Sequence, residues 1–345
     1  MTSIGTSTQP METRRGKLRS AIAGRLASVF VDAHFPQIPG HVRGKVRDNY
    51  DLEDGRRILV ATDRQSAFDQ VLAAVPFKGQ VLTATARFWF DATGDIVPNH
   101  VLAYPDPNVM VATRLDMLPI EVVVRDYLTG STSTSIWPMY REGKRTLYGY
   151  PLPNGLRKNE RLPATLITPT TKAVVGAHDL PITPFEIVEH GVLPRARWDE
   201  VAAISLALFE RGRSVAAARG LILVDTKYEF GLDAEGRLIL ADEVHTPDSS
   251  RYWRADSYED RFASGEEPET LDKDFLRRWI AERCDPYRGP VPAIPDDTLV
   301  EFAMRYVALY ETLTGEAFSV PPSSPPIRER VDTNLSRYLS VSGLT

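Results

Sequence analysis

Charged side chains interrupt the two apolar runs of residues 220–253, GLILVDTKYEFGLDAEGRLILADEVHTPDSSRYW. In a strand, alternate side chains share a face, so Asp225, Lys227 and Glu229 lie together on one face. If residues 231–236 form a hairpin turn, the two strand ends bring Glu229 close to Asp242. Neighbouring carboxylates repel unless a cation neutralises them, and Mg²⁺ takes one or two carboxylates together with phosphate oxygens. The pattern indicates either a magnesium site for a bound nucleotide or a solvated hairpin face with surface ion pairs.

Further polar clusters lie in short segments beside apolar runs. GKVRDNY places Lys45 and Arg47 after Gly44, a residue type that lets a backbone approach a phosphate closely, although neither standard glycine-rich nucleotide motif occurs in the chain. ATDRQSAFDQ, VVVRDYLTGS, TPTTKAVVGAHD and TPDSSRYW repeat the arrangement. Each cluster alone is typical of a turn, whereas all of them together indicate a polar site at the ends of strands.

The elements that must position these residues are strands early in the chain and a mixture of helices and strands later. Residues 1–15 are polar and predict a flexible tail, and helical spacing from Leu18 predicts a short helix ending before Pro36. Strand and turn signals fill residues 42–81, and EVVVRDYL from Glu121 predicts a strong strand. Helices are predicted at about residues 198–219, 272–282 and 297–314.

These elements predict an α+β fold with a small antiparallel lobe and a larger mixed lobe. The predicted division is residues 1–35 for a tail and short helix, 36–120 for a small β-rich lobe, and 121–345 for a larger α/β lobe with a helical C-terminus.

Composition excludes several classes of protein. The net charge of -5 gives no electrostatic argument for nucleic acid or an anionic membrane, and no apolar run approaches the ~20 residues of a membrane span. The N-terminus lacks the apolar core of a secretory signal, so a cytoplasmic location is expected. Cys284 is the single cysteine and is expected to be structural.

The motifs GKVRDNY, ATDRQSAFD, EVVVRDYLTGS, TPTTKA, DTKYEFG and ADEVHTPDSSRYW occur in the order typical of SAICAR synthetases, and the chain resembles that family over about residues 43–315. The resemblance implies a two-lobed fold with ATP in the cleft of an ATP-grasp-like or kinase-like nucleotide lobe. It makes residues 36–120 the expected ATP-binding lobe and residues 121–345 the expected substrate- and metal-binding lobe. It implies a ligase of purine biosynthesis that joins carboxyaminoimidazole ribonucleotide (CAIR) to L-aspartate through an acyl phosphate. ATP and Mg²⁺ are the implied cofactors, the partners are small molecules only, and a monomer or small homo-oligomer is expected.

Together with the polar clusters, the resemblance assigns residue roles. The predicted cofactor-binding residues are Gly44, Lys45, Val46, Arg47, Glu121 and Val123, the last two as an adenine-binding hinge. The predicted substrate-binding residues are Asp63, Arg64, Ser66, Asp69, Arg125, Ser131, Ser250 and Arg251. The predicted catalytic residues are Lys172, Asp179 and Lys227, with Asp179 or a group of the substrate as the acceptor of the amine proton. The predicted metal ligands are Glu229 and Asp242.

The chain departs from the family pattern near the proposed ribonucleotide contact. Asp126 stands where the family usually has glycine, and TSTSIWPMY follows Ser131, which leaves the geometry of that loop open. The alternatives are another ATP-dependent carboxylate-amine ligase, a kinase-like enzyme, or a catalytically inactive nucleotide-binding homologue. An inactive homologue would be expected to lose the charges of the hairpin, and this chain retains them.

Overall fold

The computed structural model describes residues 9–68, 70–131, 134–172 and 179–342. Its strands are β1 (His41–Arg43), β2 (Arg47–Asp51), β3 (Arg56–Ala61), β4 (Arg64–Ala67), β5 (Gln70–Ala74), β6 (Val101–Asp106), β7 (Val109–Thr113), β8 (Asp116–Met117), β9 (Ile120–Tyr127), β10 (Thr146–Leu147), β11 (Tyr150–Pro151), β12 (Arg161–Ile167), β13 (Thr170–Thr171), β14 (Leu221–Leu232), β15 (Leu238–Ala241) and β16 (Ser250–Arg254). Its helices are α1 (Gln9–Ala23), α2 (Lys78–Ala92), α3 (Ile136–Arg141), α4 (Pro184–Glu189), α5 (Arg195–Ala218), α6 (Ala255–Ala263), α7 (Asp274–Ala281), α8 (Asp296–Thr314) and α9 (Ile327–Val341). The predicted α+β class is confirmed.

The N-terminal sheet is antiparallel, with strand order β1-β2-β3-β7-β6. Its β3 carries the aliphatic run Ile58, Leu59 and Val60, all buried, and Ile58 pairs with the buried Tyr50 of β2. β-Branched and aromatic side chains pack well on a pleated surface, which explains why this segment forms strands. The strands β4 and β5 form a separate two-stranded hairpin.

The larger sheet is built around β9 and β14, which pair antiparallel with Arg125 opposite Asp225. β12 flanks β9, while β15 and β16 pair with different parts of the long β14. Tyr228 and Phe230 of β14 are buried in the core that contains Leu208 of α5. The apolar face of β14 therefore packs on α5, and the charged residues between lie on its other face, as the alternation predicts.

The C-terminal helices pack with the N-terminal sheet. One hydrophobic core contains Ile58 and Val60 of β3 together with Phe302 of α8 and Leu335 of α9. The predicted division assigned residues 121–345 to the larger lobe. In the structure α8 and α9, which belong to that range, instead share a core with the N-terminal sheet. Contacts between residues so distant in sequence leave no local signal, and the division into lobes stays a prediction.

Helix α1 differs from the predicted flexible tail because it lies on α8. It begins at Gln9 and ends at Ala23, Ile22 is fully buried, and Arg14 and Arg19 pair with glutamates of α8. These tertiary contacts stabilise a helix that its polar sequence alone would not. Over the residues described above, no helix combines the length and apolar character of a membrane span.

Arg330→Met is expected to destabilise the fold by about 3 kcal/mol, because it removes the positive charge that is paired with a buried carboxylate. Arg330 donates from Nε and Nη2 to Asp106 at 2.9 and 3.0 Å, and Asp106 is only 2% exposed. Urea unfolding monitored by circular dichroism measures the effect, with the exposed Arg337→Met of the same helix as control. A loss within about 0.5 kcal/mol of that control would contradict the expected role of the pair.

Candidate active site

A cavity of about 220 Å³ lies between the N-terminal sheet and the hairpin of β14 and β15. The hairpin contributes Glu229 and Asp242 to its wall. The other lining residues are Asn49, Arg57, Leu59, His100, Thr113, Leu115, Met117, Lys172 and Ala241. The two predicted metal carboxylates therefore line one cavity between the two sheets.

Glu229 accepts hydrogen bonds from two lysines. Lys227 Nζ lies 2.5 Å from Oε1, and Lys172 Nζ binds Oε2. Burial disfavours the ionised form of Glu229, but the charges of Lys227 and Lys172 outweigh it and lower the pKa of the carboxyl. Burial likewise works against the charge on Lys227, yet Glu229 and Glu121 raise its pKa; Lys227 Nζ lies 2.8 Å from Glu121 Oε1. Lys227 and Glu229 thus hold each other in the charged form.

Asp242 lies beside Glu229 and is paired with an arginine of the opposite sheet. Glu229 pairs with Ala241 across the hairpin, and Asp242 follows with φ of 60°, a left-handed conformation that aspartate tolerates better than most residues. Arg47 donates to Asp242 at 2.9 Å and also to Glu243. Burial raises the pKa of Asp242 to about 6, with Arg47 opposing the shift and Glu229 and Glu243 adding to it.

The residues present fit a hard divalent cation that takes its other ligands from outside the protein. Within the part of the chain that the structure describes, no group of three or more His, Cys, Asp or Glu could hold a metal. Mg²⁺ bound with a nucleotide needs only one or two carboxylates, because phosphate oxygens and water complete its shell. Glu229 and Asp242 supply that donor set and no more.

The turn that carries Lys45 is shaped by Gly44 and Arg64. A Cβ on Gly44 would lie 2.4 Å from the Arg47 carbonyl oxygen, so no other residue fits without a shift of the backbone. Arg64 donates from Nη2 to the Gly44 carbonyl at 3.0 Å and also binds Asp48, and it is 2% exposed. Arg64 was predicted to contact substrate; its buried guanidinium instead holds the turn in place.

Arg125 and Arg251 converge on one buried carboxylate. Arg125 Nη1 and Arg251 Nη1 lie 2.9 and 2.5 Å from the same oxygen, Oδ2 of Asp225. A Cβ built on Gly130 would lie 3.4 Å from Arg251 Nη2, which places the exposed Ser131 beside this pair. The structure therefore brings together the three residues predicted to contact the ribonucleotide, and pairing of three strands supplies a carboxylate that the sequence left without a role.

Other predicted substrate contacts face the interior of the protein. Asp63 is 1% exposed and accepts from the backbone N–H groups of Phe30 and Gly79, while burial raises its pKa to about 6. Ser250 is buried with its hydroxyl 2.7 Å from that of Thr226, on the face of the sheet away from Arg251. Neither is placed to contact a ligand in the cleft, because buried partners already satisfy both.

The geometry does not support a substrate role for two further predicted residues of the motif ATDRQSAFDQ. Ser66 lies on β4 and is not among the residues that line the cavity. Asp69 lies outside the described residues. Their substrate roles stay predictions without support from the geometry.

The predicted adenine-binding hinge at Glu121 and Val123 does not fit the structure. Both lie in β9, whose two edges are already paired, and the Val123 carbonyl accepts from Thr168 N at 2.7 Å. A hinge must offer unpaired backbone donors and acceptors to a base. The connection from β7 to β8 lines the cavity instead with Thr113, Leu115 and Met117, and it was missed because it carries no polar motif.

Lys172 and Asp179 lie at the entrance to the charged cluster. Lys172 is bound to Glu229, and the negative charge of Asp179 contributes to the raised pKa of Glu121, after burial, Lys227 and Glu229. Asp179 is exposed. The predicted role of Asp179 as proton acceptor stays a prediction.

A buried network that sequence reasoning missed fixes the loop between β15 and β16. Asp248 accepts from Lys78 Nζ and from the Tyr306 hydroxyl, each at 2.6 Å, and Lys273 binds its carbonyl. Burial disfavours the ionised form of Asp248, but Lys78 and Lys273 outweigh it and lower its pKa. The motif TPDSSRYW signals this loop, but the partners lie on α2, α8 and the residue before α7, which only the fold brings together.

His245 anchors the same loop as a neutral side chain. It is fully buried, with Nε2 3.0 Å from the Tyr228 hydroxyl and 3.3 Å from the Leu208 carbonyl, and burial lowers its pKa to about 3. An imidazole in the unfolded chain has a pKa near 6.5. The unfolded state therefore binds a proton that the folded state does not, and stability present above pH 6.5 is lost as the pH falls towards 3.

The wild-type protein is expected to lose about 2 kcal/mol more unfolding free energy than His245→Asn between pH 7.5 and pH 5.0, since about 1.5 pH units below 6.5 each contribute 1.36 kcal/mol. Denaturant unfolding of both proteins at the two pH values measures the difference. Comparing the pH-dependent change in unfolding free energy within each protein cancels the packing cost of the substitution, which is the same at both pH values. Equal losses in both proteins would contradict a neutral buried His245.

Comparisons with known proteins agree with one another. The family described as SAICAR synthetase matches residues 41–294. A phosphoribosylaminoimidazole-succinocarboxamide synthase of Legionella pneumophila (strain Paris) is 54% identical over 298 residues, which cover 86% of this chain and 95% of that protein.

Solved structures with the same fold include two with bound ligands. SAICAR-synthase from Saccharomyces cerevisiae, complexed with SAICAR, aligns with a TM-score of 0.72 and 32% identity over 84% of this chain and 99% of that one. A SAICAR synthetase (Type-2) in complex with ADP aligns with a TM-score of 0.61 and 26% identity over 81% of this chain and 99% of that one.

Proposed function

The chain belongs to the SAICAR synthetase family, and from that premise we propose that the cleft between its sheets joins CAIR to L-aspartate at the expense of ATP. Membership makes the chain an ATP-using ligase of purine biosynthesis. The predicted recognition, fold and reaction are thereby confirmed, while the residue roles, the metal and the intermediate below are proposals. A cytoplasmic location and a monomer or small homo-oligomer stay predictions.

The observation that carries the proposal is the charged face of β14. Asp225, Lys227 and Glu229 follow one another on this face. Asp225 binds the two arginines at one end, and Glu229 lines the cavity at the other. Four residues of strand span about 13 Å. That separation suits a ribonucleotide held by its phosphate at the arginines, with its carboxylate presented to Lys227 and the ATP phosphates.

The reaction proceeds in two balanced steps on this face. A carboxylate oxygen of CAIR attacks the γ-phosphorus of ATP, which forms an acyl phosphate and breaks the bond to ADP. The amine of aspartate then attacks the acyl carbon and phosphate leaves with its electron pair, while Asp179 accepts the amine proton. Lys227 and Lys172 neutralise the charge that develops on the transferring phosphoryl group, which is mostly a matter of position and electrostatics.

The nucleotide is held from the opposite sheet. In the proposal, Lys45 and Arg47 of the Gly44 turn contact the phosphates, and the connection through Thr113 and Met117 contacts the base. The proposal is supported by the pairing of Arg47 with Asp242 of the cavity wall and by Thr113 and Met117 in the cavity lining. Glu229 and Asp242 would hold Mg²⁺, which supplies charge neutralisation of the phosphates when bound. Without the metal, the chain's own cations compensate both carboxylates, because Arg47 pairs with Asp242 while Lys172 and Lys227 pair with Glu229.

An omission assay tests the function. Purified protein is given ATP, Mg²⁺, CAIR and L-aspartate, each omitted in turn, and ADP and SAICAR are quantified by chromatography. ADP and SAICAR are expected to form in equal amounts only in the complete mixture. Equal ADP formation without CAIR would contradict the ligase assignment.

Metal binding is expected to depend on bound nucleotide, because protein cations already pair with both carboxylates. Arg47 binds Asp242, and Lys172 and Lys227 bind Glu229. Phosphates would give these cations new partners and release the carboxylates. Mn²⁺ binding, measured by electron paramagnetic resonance, is expected to be at least about tenfold tighter with ADP than without.

Arg47→Met is expected to reduce the difference in Mn²⁺ affinity between the protein with ADP and the protein without it, because it strengthens Mn²⁺ binding in the absence of ADP. Arg57→Met is the matched control, since Arg57 lines the same cavity but pairs with Asp51. Mn²⁺ affinity in the wild-type protein that is equal with and without ADP would contradict the exchange of partners.

A further inference from the structure

Asp225 is a buried carboxylate between two arginines, and the mechanism above gives it no contact with a reacting atom. It is 3% exposed, lies on the charged face of β14, and binds both guanidiniums through a single oxygen. Arg125 comes from β9 and Arg251 from β16, so the carboxylate joins side chains of the two strands that flank β14. Without it, two buried positive charges would face each other.

Each guanidinium also has a second fixed acceptor. Arg125 Nε donates to Thr168 Oγ1 at 2.8 Å, and Arg251 Nε donates to Asp274 Oδ2 at 2.9 Å. A guanidinium is planar, so two fixed N–H groups determine the orientation of its whole plane. Of the remaining N–H groups, Arg251 Nη2 lies 3.4 Å from a Cβ built on Gly130, and Arg125 Nη2 donates to the Thr134 carbonyl at 3.4 Å. Both therefore face the backbone near Gly130 and Thr134.

We infer that Asp225 is a positioning residue for the ribonucleotide: it draws Arg125 and Arg251 to one point and turns their outer N–H edges to a shared phosphate, which would replace the long hydrogen bond from Arg125 to the Thr134 carbonyl. This inference rests on the proposed function, because the phosphate is that of CAIR. Fixing both planes before binding removes the ordering cost of two long side chains, and the forks can then bind phosphate oxygens in pairs.

Positioning by Asp225 and simple electrostatics predict opposite changes in phosphate affinity when Asp225 is removed. Asp225 is itself negative, so its charge repels a phosphate held a few ångströms away, and on charge alone its removal would tighten anion binding. Positioning predicts the reverse, because two freed guanidiniums would repel and separate. The sign of the change in affinity therefore distinguishes the two effects.

Asp225→Asn tests this sign in the full-length protein. We expect the KM for CAIR to rise at least about thirtyfold, while the Kd for ADP, which binds at the other end of β14, stays within about twofold. The inhibition constant of inorganic phosphate against CAIR is expected to rise in parallel. An unchanged or lowered KM for CAIR would overturn the inference.

Asp126→Asn is the matched control. Asp126 is equally buried, pairs with Arg213 at 3.0 Å, and lies next to Arg125 in sequence, but its partner belongs to α5 on the other face of the sheet. Its KM for CAIR is expected to stay near that of the wild type. A rise in both variants of similar size would attribute the effect to general loss of a buried carboxylate and overturn the inference.

A second variant covers the case in which Asp225→Asn does not fold. Thr168→Val keeps the shape of a fully buried side chain but removes the acceptor of Arg125 Nε, and we expect the KM for CAIR to rise several-fold with ADP binding unchanged. No change in this variant would overturn the inference. If the wild type itself neither binds CAIR nor forms SAICAR, the proposed function fails first and the inference fails with it.

Discussion

Glu229→Gln is expected to lower kcat by about 10³-fold, because it removes both a metal ligand and the counter-charge of two lysines. Glu229 lines the cavity and is bound by Lys172 and Lys227. Glutamine has nearly the same shape, but it removes the carboxylate partner of Lys172, leaves Lys227 with Glu121 alone, and offers the metal only a neutral oxygen. Steady-state rates of ADP and SAICAR formation measure the effect.

Glu235→Gln is the matched control on the same hairpin. Glu235 lies in the turn between β14 and β15, where its side chain is 68% exposed and pairs with Arg237. Its kcat is expected to equal that of the wild type. A Glu229→Gln enzyme with more than about a tenth of wild-type kcat would contradict the proposed role of the carboxylate.

Arg251→Lys is expected to lower kcat/KM for CAIR by about 10²-fold while ADP affinity stays within about twofold. Lysine keeps the positive charge but loses the planar fork, and one ammonium group cannot bind Asp225, Asp274 and a phosphate with the same geometry. The substitution is therefore expected to change kcat/KM for CAIR and to leave the affinity for ADP unchanged. Initial rates at varied CAIR and calorimetric titration with ADP separate them.

Arg254→Lys provides the control three residues further along β16. Its side chain is about half exposed and pairs with Asp256 and Glu269. Arg254→Lys is expected to leave both measurements unchanged. An Arg251→Lys enzyme with wild-type kcat/KM would show that the fork of Arg251 makes no contact with the ribonucleotide.

The chemistry of the hairpin could be predicted from the sequence because it depends on local rules. Alternation along a strand places Lys227 and Glu229 on one face, and a short turn brings the return strand and Asp242 alongside. The observed pairing of Glu229 with Ala241 gives that arrangement. The resemblance to a known family supplied the reaction, which the pattern of charges alone left open.

Residue roles that depend on burial and on the pairing of distant segments could not be predicted from the sequence. Arg64 and Ser250 have side chains that could bind substrate, but burial commits both to neighbouring protein groups. Asp225 has a partner on each flanking strand, which is known only once β9 and β16 are seen to pair with β14. The packing of α9 on the N-terminal sheet joins residues more than two hundred positions apart and likewise has no local signal.

In the proposed mechanism, ATP phosphorylates the carboxylate of CAIR within the cleft before aspartate attacks. CAIR labelled with ¹⁸O in its carboxylate is converted by the wild-type protein, and the inorganic phosphate released is analysed by mass spectrometry. If an acyl phosphate forms, one labelled oxygen passes to phosphate in each turnover when both carboxylate oxygens carry the label. Unlabelled phosphate, with SAICAR formed at the normal rate, would contradict the proposed mechanism.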